Sequence, residues 1–200
     1  TIEDDGPKAS ATALTAADKG LLDESDTTGS GTDGIFTASV GFADNFTATA
    51  YGADGAGAVA YALVLTGTNV ASGFFALGTN GAQGEAIVLN QTGATITGTA
   101  GGQTYFVISI DNDPASATFG TATFTLNADR PIWHSATGAN GTNHDDADTM
   151  SVAANALVVQ QTVTDGDGDT ATATLDIGTG VFTIEDDGPK ASATALTAAD

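Results

Sequence analysis

The sequence predicts an all-β fold, an antiparallel β-sandwich. Stretches of about five to ten residues in which apolar and polar or small side chains alternate recur along the chain, which is typical of strands with one buried face. Turns rich in Gly, Asn and Asp separate these stretches, and the 200 residues include 26 glycines. Charged residues make up only 14% and hydrophobic residues 41%, so the chain is poor in helix formers but can build a packed core.

The individual elements follow from this alternation. The expected strands are residues 8–14, 35–42, 59–65, 85–90, 94–99, 103–111, 118–127, 156–164, 170–177 and 180–185. Short helical turns are expected only within 15–23 and 145–154. The expected core consists of apolar residues spaced mostly two apart, namely Phe36, Val40, Phe42, Tyr61, Leu63, Leu65, Ile87, Leu89, Phe106, Ile108, Phe124, Leu126, Val158 and Val163. A single tryptophan, Trp133, is expected in the core rather than on a sugar-stacking surface.

The charge balance restricts the partners. The 25 acidic residues against four basic ones give a net charge of -21, which argues against binding to nucleic acid or to an anionic membrane. We expect no membrane insertion either, because no apolar run of about 18 residues is present. Cysteine is absent, so neither a disulfide nor a thiolate zinc site can stabilise the fold.

An internal repeat defines the domain organisation. Residues 1–18 recur unchanged as 183–200, from Thr1 to Thr183, a spacing of 182 residues. We expect a piece of a longer tandem array, with an interdomain junction at 1–6, a full repeat unit at 7–184, and the junction and first strand of the next repeat at 185–200. The unit is either one enlarged sandwich or two small ones. Its expected partners are neighbouring repeats of the same chain. The chain is expected to be monomeric and to form a long fibre. If the strand at 8–14 belongs to the unit, residues 190–200, which repeat 8–18, lack a partner there and should be exposed or pair with another molecule.

The acidic loop Asp165-Gly-Asp167-Gly-Asp169 is the leading candidate site. Three carboxylates on one tight loop favour a hard cation, and Ca²⁺ accepts six to eight oxygens in irregular geometry whereas Mg²⁺ usually keeps its waters. The spacing is similar to the start of an EF-hand. However, Thr170 stands where that loop needs glycine, and the residues that follow alternate as a strand.

Other acidic clusters are expected to contribute to calcium binding. The second junction, with Glu185, Asp186 and Asp187, is the expected partner of the Asp165 loop, because the unit that ends there and the unit that begins there could both supply oxygens. The copies Glu3, Asp4 and Asp5 at the first junction should behave alike. The first copy should be incomplete without a preceding unit. Asp111 and Asp113, and the acidic turn at 23–26, are weaker candidates because short acidic turns are common in β-proteins.

The sequence offers little for catalysis, and we expect that the chain is not an enzyme. His134 and the acidic run that begins at His144 could be read as a metal or acid–base site, yet no nucleophile with an oriented base accompanies them. An extracellular hydrolase with paired carboxylates, as in glycosidases, stays an open alternative.

The motifs of the second half carry a family resemblance. Residues 163–170 (VTDGDGDT), 171–177 (ATATLDI) and 182–189 (FTIEDDGP) resemble the repeats of the very large repeats-in-toxin adhesins that Gram-negative bacteria export by type I secretion. Residues 22–25, 101–106 and the stretch that begins at His144 also match. The resemblance implies an immunoglobulin-like β-sandwich, stiffened by calcium at interdomain joints, on the bacterial cell surface. The Gly-Gly-x-Gly-x-Asp nonapeptides of that class are missing here.

These observations predict a calcium-rigidified structural extender of an extracellular adhesin, which projects a distal ligand-binding region for biofilm formation or host attachment. Millimolar extracellular calcium suits weak sites, with dissociation constants near 10⁻⁴–10⁻³ M. The alternative is a calcium-dependent carbohydrate-binding module of the same kind of adhesin, with Trp133 or Tyr105 as the stacking surface.

Overall fold

The computed structural model describes residues 5–24, 34–47, 50–135 and 146–186, and these residues form an all-β fold. The strands are β1 (Gly20–Asp23), β2 (Thr37–Gly41), β3 (Ala56–Leu65), β4 (Val70–Leu77), β5 (Gln83–Thr92), β6 (Thr95–Ala100), β7 (Gln103–Ile110), β8 (Thr121–Leu126), β9 (Ala147–Ser151), β10 (Leu157–Asp165), β11 (Thr170–Asp176) and β12 (Thr179–Glu185). Two 3₁₀ turns lie at Ala43–Asn45 and Thr79–Gly81. No helix in these described ranges is long and apolar enough to cross a membrane.

The strands form three sheets. The largest has six antiparallel strands in the order β2-β8-β7-β6-β5-β4, and a second has the order β11-β10-β3. The third has the order β1-β12-β9, in which β12 pairs with β9 antiparallel and with β1 parallel. The predicted antiparallel, sandwich-like fold class is confirmed, with the parallel pair β1–β12 as an addition that alternation alone cannot reveal.

One hydrophobic core contains side chains from all three sheets. Phe106 and Phe124 of the large sheet stack with ring centroids 4.5 Å apart, and Phe124 lies 5.1 Å from Phe182 of β12. Thirteen of the fourteen predicted core residues are buried, and Phe36 is half-buried against the same cluster. Trp133 is also only half-buried, and it packs edge-on against Phe75, so its prediction as a core residue was wrong.

Several element predictions need correction. Residues 20–23 and 147–151 form β1 and β9 rather than helical turns, and β4 was not predicted. The predicted strand at 8–14 is instead an extended segment with isolated bridges from Lys8 to Ala50 and from Ala11 to Phe46. In each case pairing with a distant strand determines the conformation, and local sequence pattern does not encode that pairing.

Candidate metal centre

Asp165 closes the acidic loop between β10 and β11. A register shift between Thr164 and Asp165 interrupts the pairing with β3, and such bulges redirect side chains. The Asp165 carboxylate Oδ1 accepts the backbone N–H groups of Gly168 (3.1 Å) and Asp169 (2.8 Å). The residue is only 3% exposed, and its Oδ2 has no hydrogen-bond partner among the described residues. A buried carboxylate oxygen without a partner is costly unless a cation or another donor meets it.

Asp54, which the sequence analysis did not single out, joins this loop from the turn before β3. A Cβ on Gly166 would collide with the Asp54 backbone carbonyl oxygen, so glycine is needed for the two turns to approach this closely. Carboxylate oxygens of Asp54, Asp165 and Asp167 all lie within 4.8 Å of one another. We call these three residues the carboxylate cluster.

The spacing of the carboxylate cluster would allow its three residues to hold a single cation. Oxygens bound to one calcium at about 2.4 Å cannot be more than about 4.8 Å apart, and the three carboxylates meet this limit. Asp54 and Asp167 are exposed while Asp165 is buried, so the cluster opens to solvent on one side. Three carboxylates leave at least three coordination positions for backbone carbonyls and water.

The first junction passes beside the carboxylate cluster. A Cβ on Gly52, whose φ is 72°, would collide with the carbonyl oxygen of Asp5. A Cβ on Gly6 would lie 3.7 Å from Oδ2 of Asp169. Asp5 and Gly6 therefore lie against both turns that build the cluster. The sequence analysis paired the Asp165 loop with the second junction, and the structure places the first one there.

A second acidic group surrounds the buried His134. Its Nε2 lies 3.4 Å from Oε2 of Glu24, and its Nδ1 lies 3.4 Å from Oδ2 of Asp148. Both carboxylate oxygens of Glu24 accept the backbone N–H of Ile132, at 3.1 and 3.2 Å. We call Glu24, His134 and Asp148 the histidine cluster. The ring nitrogens of His134 are within ion-pair distance of the two carboxylates if the ring is protonated, and they have no hydrogen-bond partner among the described residues.

Burial and charge act together on the histidine cluster. Burial raises the pKa of the Glu24 carboxyl, although His134 opposes this, and burial also raises the pKa of Asp148. Burial acts to lower the pKa of the His134 ring, but Glu24, Asp186 and Asp148 outweigh it and raise that pKa. For His134, the stabilisation is therefore fully present below the ordinary histidine pKa and is lost as the pH rises through the raised value.

The second junction lies with the histidine cluster. The Glu24 N–H donates to the Glu185 carbonyl at 3.1 Å, and the Asp186 N–H donates to the Asp146 carbonyl at 2.9 Å. Asp186 also lines a cavity of about 290 Å³ together with Glu24, Trp133 and His134. Glu3, Asp4 and Asp187, like His144, lie outside the described residues.

Asp111 and Asp113 close their own loop. Asp111 accepts the Asp113 N–H at 3.0 Å and the Thr118 hydroxyl at 2.7 Å, and Asp113 accepts the Ala115 N–H at 2.9 Å. Hydrogen bonds from Ser116, Thr118 and Asp113 lower the pKa of the Asp111 carboxyl. These bonds are those of aspartate-capped turns, and calcium binding by this pair stays a prediction.

The fold and the carboxylate cluster define the chain as an all-β, sandwich-like domain with an acidic loop between β10 and β11. Residues 19–178 match the family model described as a domain of unknown function, DUF5801. The chain belongs to this family. No curated protein matches the chain, and no solved structure does.

Proposed function

We propose that this chain is a structural extender unit of a large bacterial cell-surface adhesin, in which calcium bound at the carboxylate cluster stiffens the unit and its joint. The observation that carries the proposal is Asp165, a buried carboxylate with an unpartnered oxygen beside Asp54 and Asp167. Solvated turns would leave such an oxygen in water, whereas a cation satisfies it in place.

The position of the cluster supports a stiffening role. Three separate segments meet there: the loop after β10, the turn before β3, and the junction at Asp5 and Gly6. A cation that binds the first two fixes the surface on which the junction lies. Without it the carboxylates repel one another, which loosens the same three segments.

The repeat supports a spacer rather than an enzyme. Identical copying of 18 residues at a spacing of 182 suits a chain in which each unit supplies length and contacts its neighbours. In this proposal the protein lies outside the cell, where calcium is about millimolar and weak sites are filled. The array projects a distal ligand-binding region, and neighbouring repeats are the partners of each unit.

Thermal unfolding of the chain in a few millimolar calcium and in excess EGTA tests the proposal. We expect a lower midpoint in EGTA, together with expansion in small-angle X-ray scattering. Magnesium at the same concentration is the control, and it should not replace calcium because its preference for octahedral geometry and bound water suits this cluster poorly. Equal midpoints in calcium and EGTA would contradict the proposal.

A carbohydrate-binding role is the second candidate, and one observation favours it. The half-buried Trp133 lines the cavity of about 290 Å³ with Glu24, His134 and Asp186, so an aromatic surface lies beside hydrogen-bonding groups. No member of the carboxylate cluster is among the described residues that line this cavity. Binding on a glycan array that is lost in Trp133→Ala would support this role, and binding to no glycan would oppose it.

A further inference from the structure

The two halves of the repeated 18-residue segment have different places in the fold. The start of the segment is described in the second copy, at residues 183–186. There Thr183, Ile184 and Glu185 belong to β12 and pair with β1 and β9. Ile184 is fully buried in the core. The back half is described in the first copy, where residues 8–18 lie beside residues 45–47 and 50. One unit therefore contains residues 183–185 from the second copy of the segment and residues 8–18 from the first copy.

Residues 8–18 dock by backbone hydrogen bonds on the strip formed by 45–47 and 50. The Lys8 N–H donates to the Ala50 carbonyl at 2.8 Å, the Thr47 N–H donates to the Ser10 carbonyl at 3.0 Å, and the Thr12 N–H donates to the Asn45 carbonyl at 2.7 Å. Further along, the Asn45 side-chain amide donates to the Asp18 carboxylate at 3.0 Å. These bonds attach the segment as an additional strand-like edge.

Side-chain burial adds to this docking. Ala11 and Leu14 are partly buried and pack against the core cluster. The segment thus covers apolar surface that would otherwise be exposed beside Phe46, which is itself buried. Because residues 8–18 already occupy the strip on this unit, the identical residues 190–200 have their matching surface on another unit.

We propose that residues 183–200 are divided between two consecutive units: Thr183–Glu185 close one unit, and residues 190–200 are the leading segment that docks on the next. The partner is a second copy of this unit, and the contact surface is its strip equivalent to 45–47 and 50. This deepens the proposed function and rests on its tandem array, but it does not depend on calcium.

The division also fixes the length of the joint. Between Glu185 and Lys190 lie four residues, Asp186 to Pro189, which span at most about 14 Å. Asp186 lies at the histidine cluster of its own unit. Gly188 corresponds to Gly6, which lies against Asp169. Asp186 and Gly188 are two residues apart, a span of at most about 7 Å. The joint therefore connects a residue beside the histidine cluster of one unit to a residue that would lie beside the acidic loop of the next.

A two-unit chain tests the division: residues 1–200 followed by a second copy of 19–186. Thr194 corresponds to Thr12, so Thr194→Pro removes the N–H donor that the second unit needs. We expect the two-unit variant to show an additional thermal unfolding transition, with a midpoint about 2–4 °C or more below the midpoint of the parent two-unit chain. In the 200-residue chain Thr194→Pro should leave the midpoint unchanged, whereas Thr12→Pro should lower it. Thr194→Ser, which keeps the N–H, is the matched control.

All variants are measured in calcium and in EGTA. The proline effects are expected in both, so their failure is distinguishable from failure of the calcium proposal. The division is overturned if Thr12→Pro has no effect in the 200-residue chain, because the leading segment then contributes nothing. It is equally overturned if Thr194→Pro has the same effect in the one-unit and two-unit chains, or none in the two-unit chain.

Discussion

Replacement of Asp165 by asparagine should have opposite effects with and without calcium. The amide is nearly isosteric with the carboxylate, and its oxygen can still accept the N–H groups of Gly168 and Asp169. Its NH₂ group can then occupy the position of the unpartnered Oδ2 and donate to a neighbouring carboxylate. The substitution therefore relieves repulsion in the calcium-free state, and it removes a negative ligand in the calcium-bound state.

The magnitudes follow from the 4.8 Å separation. Two carboxylates no more than 4.8 Å apart repel by about 3.5 kcal/mol or more at an effective dielectric of 20, and solvent at the exposed Asp54 and Asp167 reduces this. We expect a gain of about 1–2 kcal/mol in EGTA, equivalent to about 2–8 °C in midpoint for a domain of this size. For a dissociation constant of 10⁻⁴ M, calcium at 1 mM stabilises the unsubstituted chain by about 1.4 kcal/mol, and Asp165→Asn should lose this.

Thermal unfolding with matched variants measures both effects. Asp129→Asn is the control, because it removes one charge from an exposed aspartate outside the carboxylate cluster. We expect its response to calcium to equal that of the unsubstituted chain. The reasoning is refuted if Asp165→Asn is less stable than the control in EGTA, or if it keeps the full calcium response.

Three further predictions concern pH, loop contact and core. Stability should fall as the pH rises above about 6.5, because the raised pKa of His134 links folding to proton uptake; chemical denaturation from pH 6 to 9 measures this, and His134→Gln should flatten the profile. Gly166→Ala should cost about 1–3 kcal/mol in urea unfolding and weaken calcium binding, because its Cβ would collide with the Asp54 carbonyl. Phe182→Ala should cost about 3–5 kcal/mol, because the ring is fully buried against Phe124.

Each of these has a contradicting result. A pH profile in His134→Gln with the same slope as in the unsubstituted chain would assign the pH dependence to other groups. Unchanged stability in Gly166→Ala would show that the two turns can separate without cost. A loss below about 1 kcal/mol in Phe182→Ala would show that β12 contributes little to the core.

The strands with one buried face could largely be predicted from the sequence. In β7 and β8 strict alternation places Phe106, Ile108, Phe124 and Leu126 inside, and both strands were predicted. In β4 burial also alternates, but the buried positions include the polar Ser72 while Phe75 is only half-buried, so apolar and polar residues do not alternate in the sequence. The strands β1 and β9 are short edge strands whose conformation depends on β12, so a local pattern was insufficient.

Only some residues of the candidate site could be predicted from the sequence. Asp165 and Asp167 were predicted from their glycine spacing, whereas Asp54 reaches them through the long-range pairing of β3 with β10. Its Asp-Gly turn directly before an alternating strand was the available signal. In the histidine cluster, His134 contacts Asp148 of the acidic run that the sequence analysis considered together with it, and also Glu24, which had been grouped with a separate acidic turn. The two copies of the junction are identical in sequence. Only the contacts of the folded chain could place Asp5 of the first copy beside the carboxylate cluster and Asp186 of the second copy, which corresponds to Asp4, beside the histidine cluster.

Calorimetric titration of the 200-residue chain with calcium tests the central claim most directly. We expect saturable binding of calcium with a dissociation constant near 10⁻⁴–10⁻³ M. The Asp165→Asn variant should lose this binding, and the Asp129→Asn variant should retain it. Absence of saturable binding, or binding that is unchanged in Asp165→Asn, would contradict a calcium site at the carboxylate cluster.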